Sequence, residues 1–110
     1  MVMTNKILQK SFNILNKRFF QGRLNGAIVK FGDCGEDGKA DGEHTSGEIT
    51  ISSDFKRHPD MALLTLLHEM VHADLDREGY IGYVSDGGHH TRFYAGIDRL
   101  YKAGAYEGLL

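Results

Sequence analysis

Five consecutive residues carry the most chemistry in this chain: His68-Glu69-Met70-Val71-His72. If they lie on a helix, the two histidines stand one turn apart on the same face, and both imidazoles can reach one ion. Zn²⁺ accepts neutral imidazole nitrogen at about 2.0–2.1 Å. Glu69 follows the first histidine but is angularly offset, so it addresses a metal-bound water rather than the metal. Zinc lowers the pKa of such a water to roughly 7. A carboxylate beside it can then take the proton as the water attacks a carbonyl. The bland alternative is an amphipathic helix with two incidental histidines. Against that, Leu64, Leu67, Val71 and Leu75 already supply a core stripe at helical spacing. The histidines form a second row, and a buried pair of them pays a desolvation cost whenever it is charged.

A zinc centre of this kind needs a third protein ligand and one open position. His89, His90, Glu78, Asp86, His44 and His58 are the candidates. Glu78 is six residues past His72 and points poorly. His58 precedes His68 by ten residues, about 15 Å along a helix. His89 and His90 follow Asp86-Gly87-Gly88, a turn able to bring the chain back over the helix. One of these two is the natural third ligand, and spacing leaves both open.

The elements that must position these groups are legible in outline. Thr4 to Phe20 predicts a helix, with Leu8, Phe12, Leu15 and Phe19 on one face, Thr4 or Asn5 as N-cap and Gly22 as stop. A strand is expected over Ala27 to Phe31. Residues 32 to 47, rich in glycine and acid, read as loop or hairpin connection with weak strand content, and their spacing does not fit an EF-hand. Glu48 to Ser52 predicts a second strand. His58-Pro59-Asp60 opens the main helix, which runs to about Glu78 and stops at Gly79. Thr91 to Lys102 predicts a last helix, and Gly104 to Leu110 an ending that frays.

The totals fit one domain over residues 1–110, with ordinary hydrophobic (41%) and charged (25%) fractions. No apolar run approaches the ~20 residues of a membrane span, and no signal-peptide pattern opens the chain. A membrane partner is therefore not expected. The lone Cys34 excludes an internal disulfide and a Cys-rich zinc site, which favours a cytoplasmic setting. Net charge is −2, but residues 1–32 hold no acid and carry +6, against −8 in the remainder. Such asymmetry marks either a surface for an anionic partner or a helix face that simply solvates.

In order and spacing the chain resembles the SprT-like metallopeptidases, the Spartan-type proteases. The resemblance rests on Phe12-Asn-Ile-Leu-Asn16-Lys-Arg-Phe19-Phe20-Gln-Gly22-Arg-Leu24, on Ile49-Thr-Ile-Ser52, on Thr65-Leu-Leu-His68-Glu69-Met70-Val71-His72-Ala73, and on a His-Gly-x-x-Phe segment matched by His89-His90-Thr91-Arg92-Phe93. It implies a compact α+β, zincin-like core: N-terminal helix, small sheet, zinc helix and a following helix. It implies a Zn²⁺ endopeptidase cutting protein or peptide substrates with broad side-chain preference, with Glu69 as base and His68, His72 and His89 as ligands. His90 replaces the family glycine and is the alternative ligand, or a polar group near the scissile carbonyl. Larger members add Cys-rich or DNA-binding regions. With one cysteine and little sequence past the last helix, none is expected here, so a weak association with DNA rests on the basic N-terminal segment.

Other residues read more plainly. Tyr80, Tyr83 and Tyr94, or Arg92, are oxyanion stabilisers or ordinary core and surface groups. Asp74, Asp76 and Asp98 either orient a ligand imidazole or face solvent. His44 and His58 read as surface or capping groups, and Cys34 as a small buried or surface thiol rather than a zinc ligand. Two rival functions remain: a zinc-stabilised module that binds DNA or protein without cutting, and hydrolysis of a non-protein amide.

Overall fold

The computed structural model describes residues 2–34, 41–45, 47–77 and 91–108. It is an α+β arrangement: α1 (Asn5–Phe19), β1 (Ile28–Gly32), β2 (Gly42–Thr45), β3 (Glu48–Ser52), a 3₁₀ turn (Ser53–Arg57), α2 (Pro59–Arg77) and α3 (Thr91–Lys102). No helix among the described residues is long and apolar enough to cross a membrane.

α1 begins where Thr4 accepts a hydrogen bond from the Ile7 N–H, satisfying one of the free donors of the first turn. It buries Leu8, Phe12, Asn16 and Phe19, while Leu15 is only partly covered. The chain leaves through two left-handed residues, Gln21 and Gly22, and the Gly22 N–H returns to the Asn16 carbonyl. Asn16 is buried because its amide organises this exit: Oδ1 accepts from the Leu24 N–H and Nδ2 donates to Asn25, both at 3.0 Å.

The sheet has the order β1-β3-β2. β1 runs parallel to the central β3 with Ile28 opposite Glu48, and β2 runs antiparallel to β3 with Gly42 opposite Ile51. Strand β2 lies inside the stretch expected to be mostly loop. It has neither β-branched run nor alternation of its own beyond Thr45, so its partner supplies what propensity does not. The two edges of the sheet differ. Along β1, α1 amides take the outward donors: the Val29 N–H bonds Gln9 Oε1 at 2.8 Å and the Phe31 N–H bonds Asn5 Oδ1 at 2.9 Å. Strand β2 has β3 as its only strand partner among the described residues.

α2 lies against β2, β3 and α3, and its buried residues Ala62, Leu66, Leu67, Met70, Val71, Ala73 and Leu75 fall on more than one face. That is the pattern of a helix covered on several sides. The expected stripe is corrected in one place: Leu64 is only partly buried and lines a cavity, and the row through Ala62, Leu66 and Met70 takes its place in the core. α3 docks closely because Gly96 lies against Val71, where a Cβ would come within 2.8 Å of Val71 Cγ1. After α3 the chain does not fray through residue 108. Gly104, at φ +88°, donates to the Tyr101 carbonyl and Ala105 to the Leu100 carbonyl, the paired bonds of a Schellman turn, with Ala105 and Leu100 both buried.

Candidate metal centre

α2 carries His68 and His72 on one face, as their spacing predicts, and that face is turned to α3. Their ring centroids are 5.0 Å apart, with planes inclined by 67°. Two imidazole nitrogens each about 2.0–2.1 Å from one tetrahedral ion would put the centroids about 5 Å apart. The pair therefore fits a single zinc ion in donor type and separation. Both rings rest on Phe93 of α3: its ring lies edge-on to His68 at 4.8 Å and is stacked on His72 at 4.5 Å and 26°. Phe93 is itself buried.

Glu69 leaves α2 on a different bearing and is wedged between the helix and β2. It is only 7% exposed, yet its Oε2 lies 3.8 Å from His68 Nε2. Burial, and secondarily the nearby Glu43 carboxylate, push its pKa up to about 7. A carboxyl held near neutrality beside an imidazole pair is poised to accept and return a proton.

The reason Glu69 can be buried so close to the sheet is Gly42. A Cβ there would meet Thr65 Cγ2 at 2.7 Å, Glu69 Cγ at 3.3 Å and the Thr50 carbonyl at 3.3 Å. Gly42→Ala is therefore expected to destabilise the protein by about 1–3 kcal/mol through overpacking. Thr65→Ser, which removes the contacting methyl, should recover much of that loss. Urea unfolding of the two single variants and the double variant measures the coupling. An additive result would show that the helix–strand contact is not the cause.

The remaining candidates divide clearly. His44, expected at the surface, has a mostly buried side chain. It faces α2 and its Nδ1 lies 3.2 Å from Asp76 Oδ2, and burial lowers its pKa despite that carboxylate. His58 is exposed and caps α2 through its backbone carbonyl, which accepts from the Ala62 N–H. Asp74 is committed to a forked pair with Arg23, at 3.0 and 2.9 Å, with Arg77 behind. Burial pushes its carboxyl up, but the two guanidiniums outweigh burial and hold it below the usual range. Asp98 pairs with Lys102. Cys34 is fully buried, its thiol 3.4 Å from the Thr50 carbonyl, and desolvation together with Glu43 and Glu69 raises its pKa to about 11. Without a metal it stays a neutral thiol at neutral pH, packed in the core.

Among the described residues no group of three His, Cys, Asp or Glu side chains is arranged to hold a metal ion. His89 and His90, the two alternatives for the third ligand, lie outside the described residues, as do Glu78, Tyr80, Tyr83 and Asp86. Two contributors escaped the reading of the sequence. Gly42 sits in a glycine- and acid-rich run that gives it no distinguishing signal. Phe93 stands out in the sequence only as one of the apolar residues at helical spacing with Ile97, Leu100 and Tyr101 and as the Phe four residues after His89, and neither signal says that it supports both imidazoles. Compared with known proteins, the chain matches no family model, no curated protein and no solved structure.

Proposed function

We propose that this chain is a zinc-dependent endopeptidase with a zincin-like core. The observation that carries the reading is the buried Glu69 carboxyl 3.8 Å from the first of two imidazoles whose separation suits one ion. His68 and His72 would hold the zinc. His89 would complete the set, with His90 as its alternative, because Phe93, four residues after His89, already rests on both imidazoles. Bound zinc would polarise a water and the substrate carbonyl, bringing the water's pKa near neutrality.

The protein's own groups then do the following. Glu69 takes the proton from the attacking water and returns it to the leaving amine, a task matched by a pKa near the working pH. Phe93 fixes the planes of both imidazoles. Gly42 brings β2 against Glu69 without a side chain between them. Among the described residues that strand pairs on one side only, so an extended peptide can add by main-chain hydrogen bonds to the strand that packs against Glu69. This favours a peptide over another amide as substrate.

A second reading, a zinc-stabilised module that binds DNA without cutting, has one observation of its own. Lys6, Lys10 and Lys17 are exposed and fall on one line of α1, free of acidic neighbours on that helix. One experiment separates the two. Zinc content, casein cleavage and DNA binding across a salt series are measured for the protein and for His72→Ala. The peptidase reading expects about one zinc per chain, cleavage stopped by chelator and restored by zinc, and loss of both in His72→Ala. Zinc bound through the histidines with no cleavage, and with steeply salt-dependent DNA binding, would replace it with the binding module.

A further inference from the structure

We infer that the cavity beside His68 receives a large apolar side chain of the substrate, adjacent to the bond that is cut. The inference rests on the peptidase reading and adds a preference that the zinc chemistry does not supply. The cavity has a volume of about 680 Å³. Its walls are Leu64 and His68 of α2, Phe93, Ile97 and Tyr101 of α3, and Tyr106 beyond it. Each wall has a structural cause. Tyr94, Ile97 and Tyr101 recur at helical spacing as a second stripe on α3, beside the Phe93–Leu100 stripe that the core uses. The Schellman turn at Gly104 tucks Ala105 under Leu100, and Tyr106, the next residue, lines the cavity half-buried.

Position and charge together identify the occupant. His68 is both a wall of the cavity and one of the two imidazoles, so a side chain seated here hangs from a main chain passing the candidate metal centre. Among the described residues no lysine or arginine lines the cavity, and the one carboxylate among them, Asp98, lies 2.9 Å from Lys102 Nζ. A charged side chain placed among these walls would lose hydration with no unpaired partner in return. A phenylalanine, leucine or methionine loses only contact with water. Tyr94 and Tyr101, 59% and 63% exposed, are large rings left at the rim where such a residue would cover them.

The test has a binding arm and a cleavage arm, both on the full chain loaded with zinc. In the first, the N-acetyl amides of phenylalanine, alanine and lysine are titrated into isotope-labelled protein while the Leu64, Ile97 and Tyr101 resonances are followed. The phenylalanine compound is expected to shift these signals and the alanine compound to leave them nearly unmoved. In the second, peptides differing only at one residue beside the cleaved bond are compared. Partial burial of such a side chain in this open cavity predicts about a 3- to 10-fold preference in kcat/KM for phenylalanine over alanine. That ratio should collapse towards one in Ile97→Glu, and in Tyr101→Ser, a change at an exposed site that the fold tolerates. Cleavage without preference, a preference for lysine, or a ratio unmoved by both variants overturns the inference. Perturbation of Ile97 by the phenylalanine compound with no peptide cut supports the cavity's selectivity and overturns the peptidase reading alone.

Discussion

Replacing Glu69 by Gln is expected to abolish peptide hydrolysis, by about 10²- to 10⁴-fold, while leaving zinc bound and making the metal-free protein more stable at neutral pH. The first effect follows from removing a buried proton acceptor beside the imidazole pair. The second follows from burial. Glu69 has its pKa raised from 4.5 to about 7, so between those values the folded state holds a proton that the unfolded state has released. Stability then falls as pH rises from about 4.5 to about 7 and stays low above it. Below about 4.5 both states are protonated and the group contributes no penalty. Glutamine has the same shape and no charge to desolvate. At pH 8 the metal-free variant should therefore exceed the parent by up to about 3 kcal/mol, with the difference vanishing by pH 4. Zinc beside the carboxylate favours its charged form and should narrow the gap. Urea unfolding at several pH values, with and without zinc, reads the stability, and casein cleavage reads the activity. Cleavage at the parental rate would remove Glu69 from the chemistry. A stability gain independent of pH would show that burial of the charge is not its cause.

The parts of this arrangement that were legible in the sequence are those governed by short-range periodicity. Helical spacing put His68 and His72 on one face and Glu69 off it, and the structure keeps that division. Thr4, Pro59 and Asp60 marked helix starts through local capping and dipole preferences. What could not be read depends on partners distant in sequence. Strand β2 exists because β3 offers an edge and Gly42 fits against Thr65 and Glu69, neither of which is visible from Gly-Glu-His-Thr. His44 looks like any surface histidine until Asp76 is found opposite it. Leu64 has the right period for the core but lies on the side where α2 and α3 part to leave a cavity. The residues after Gly104 were expected to fray because their composition is that of a tail, yet a positive φ at one glycine suffices to fold Ala105 back onto Leu100. The +6 of the N-terminal third likewise divides only in three dimensions. Arg23 is drawn inward by Asp74 and Lys30 pairs with Glu48, whereas Lys6, Lys10 and Lys17 stay on an open helix face.

Phe93→Ala is expected to damage stability and metal affinity together, and the comparison with Phe93→Leu separates the two. Phe93 is 3% exposed, so truncation should cost about 3–5 kcal/mol. That is a large share of the 5–15 kcal/mol that holds a typical domain. Leucine restores most of the buried volume and should recover much of that loss. It does not restore the flat surface that lies against His72 at 4.5 Å and edge-on to His68 at 4.8 Å. Without that surface each imidazole gains rotational freedom that zinc binding must remove again. Changes to groups that orient metal ligands typically weaken affinity by 10- to 100-fold, and both variants should fall in that range. Zinc dissociation constants from competition with a chromophoric chelator, set beside urea unfolding of the metal-free proteins, test the separation. If Phe93→Leu binds zinc as tightly as the parent, the ring is a core residue that happens to touch the histidines. If it loses affinity while keeping most of its stability, α3 acts on the metal centre through the orientation of one aromatic ring. The Gly96–Val71 contact, by drawing α3 onto α2, then belongs to the chemistry as well as to the core.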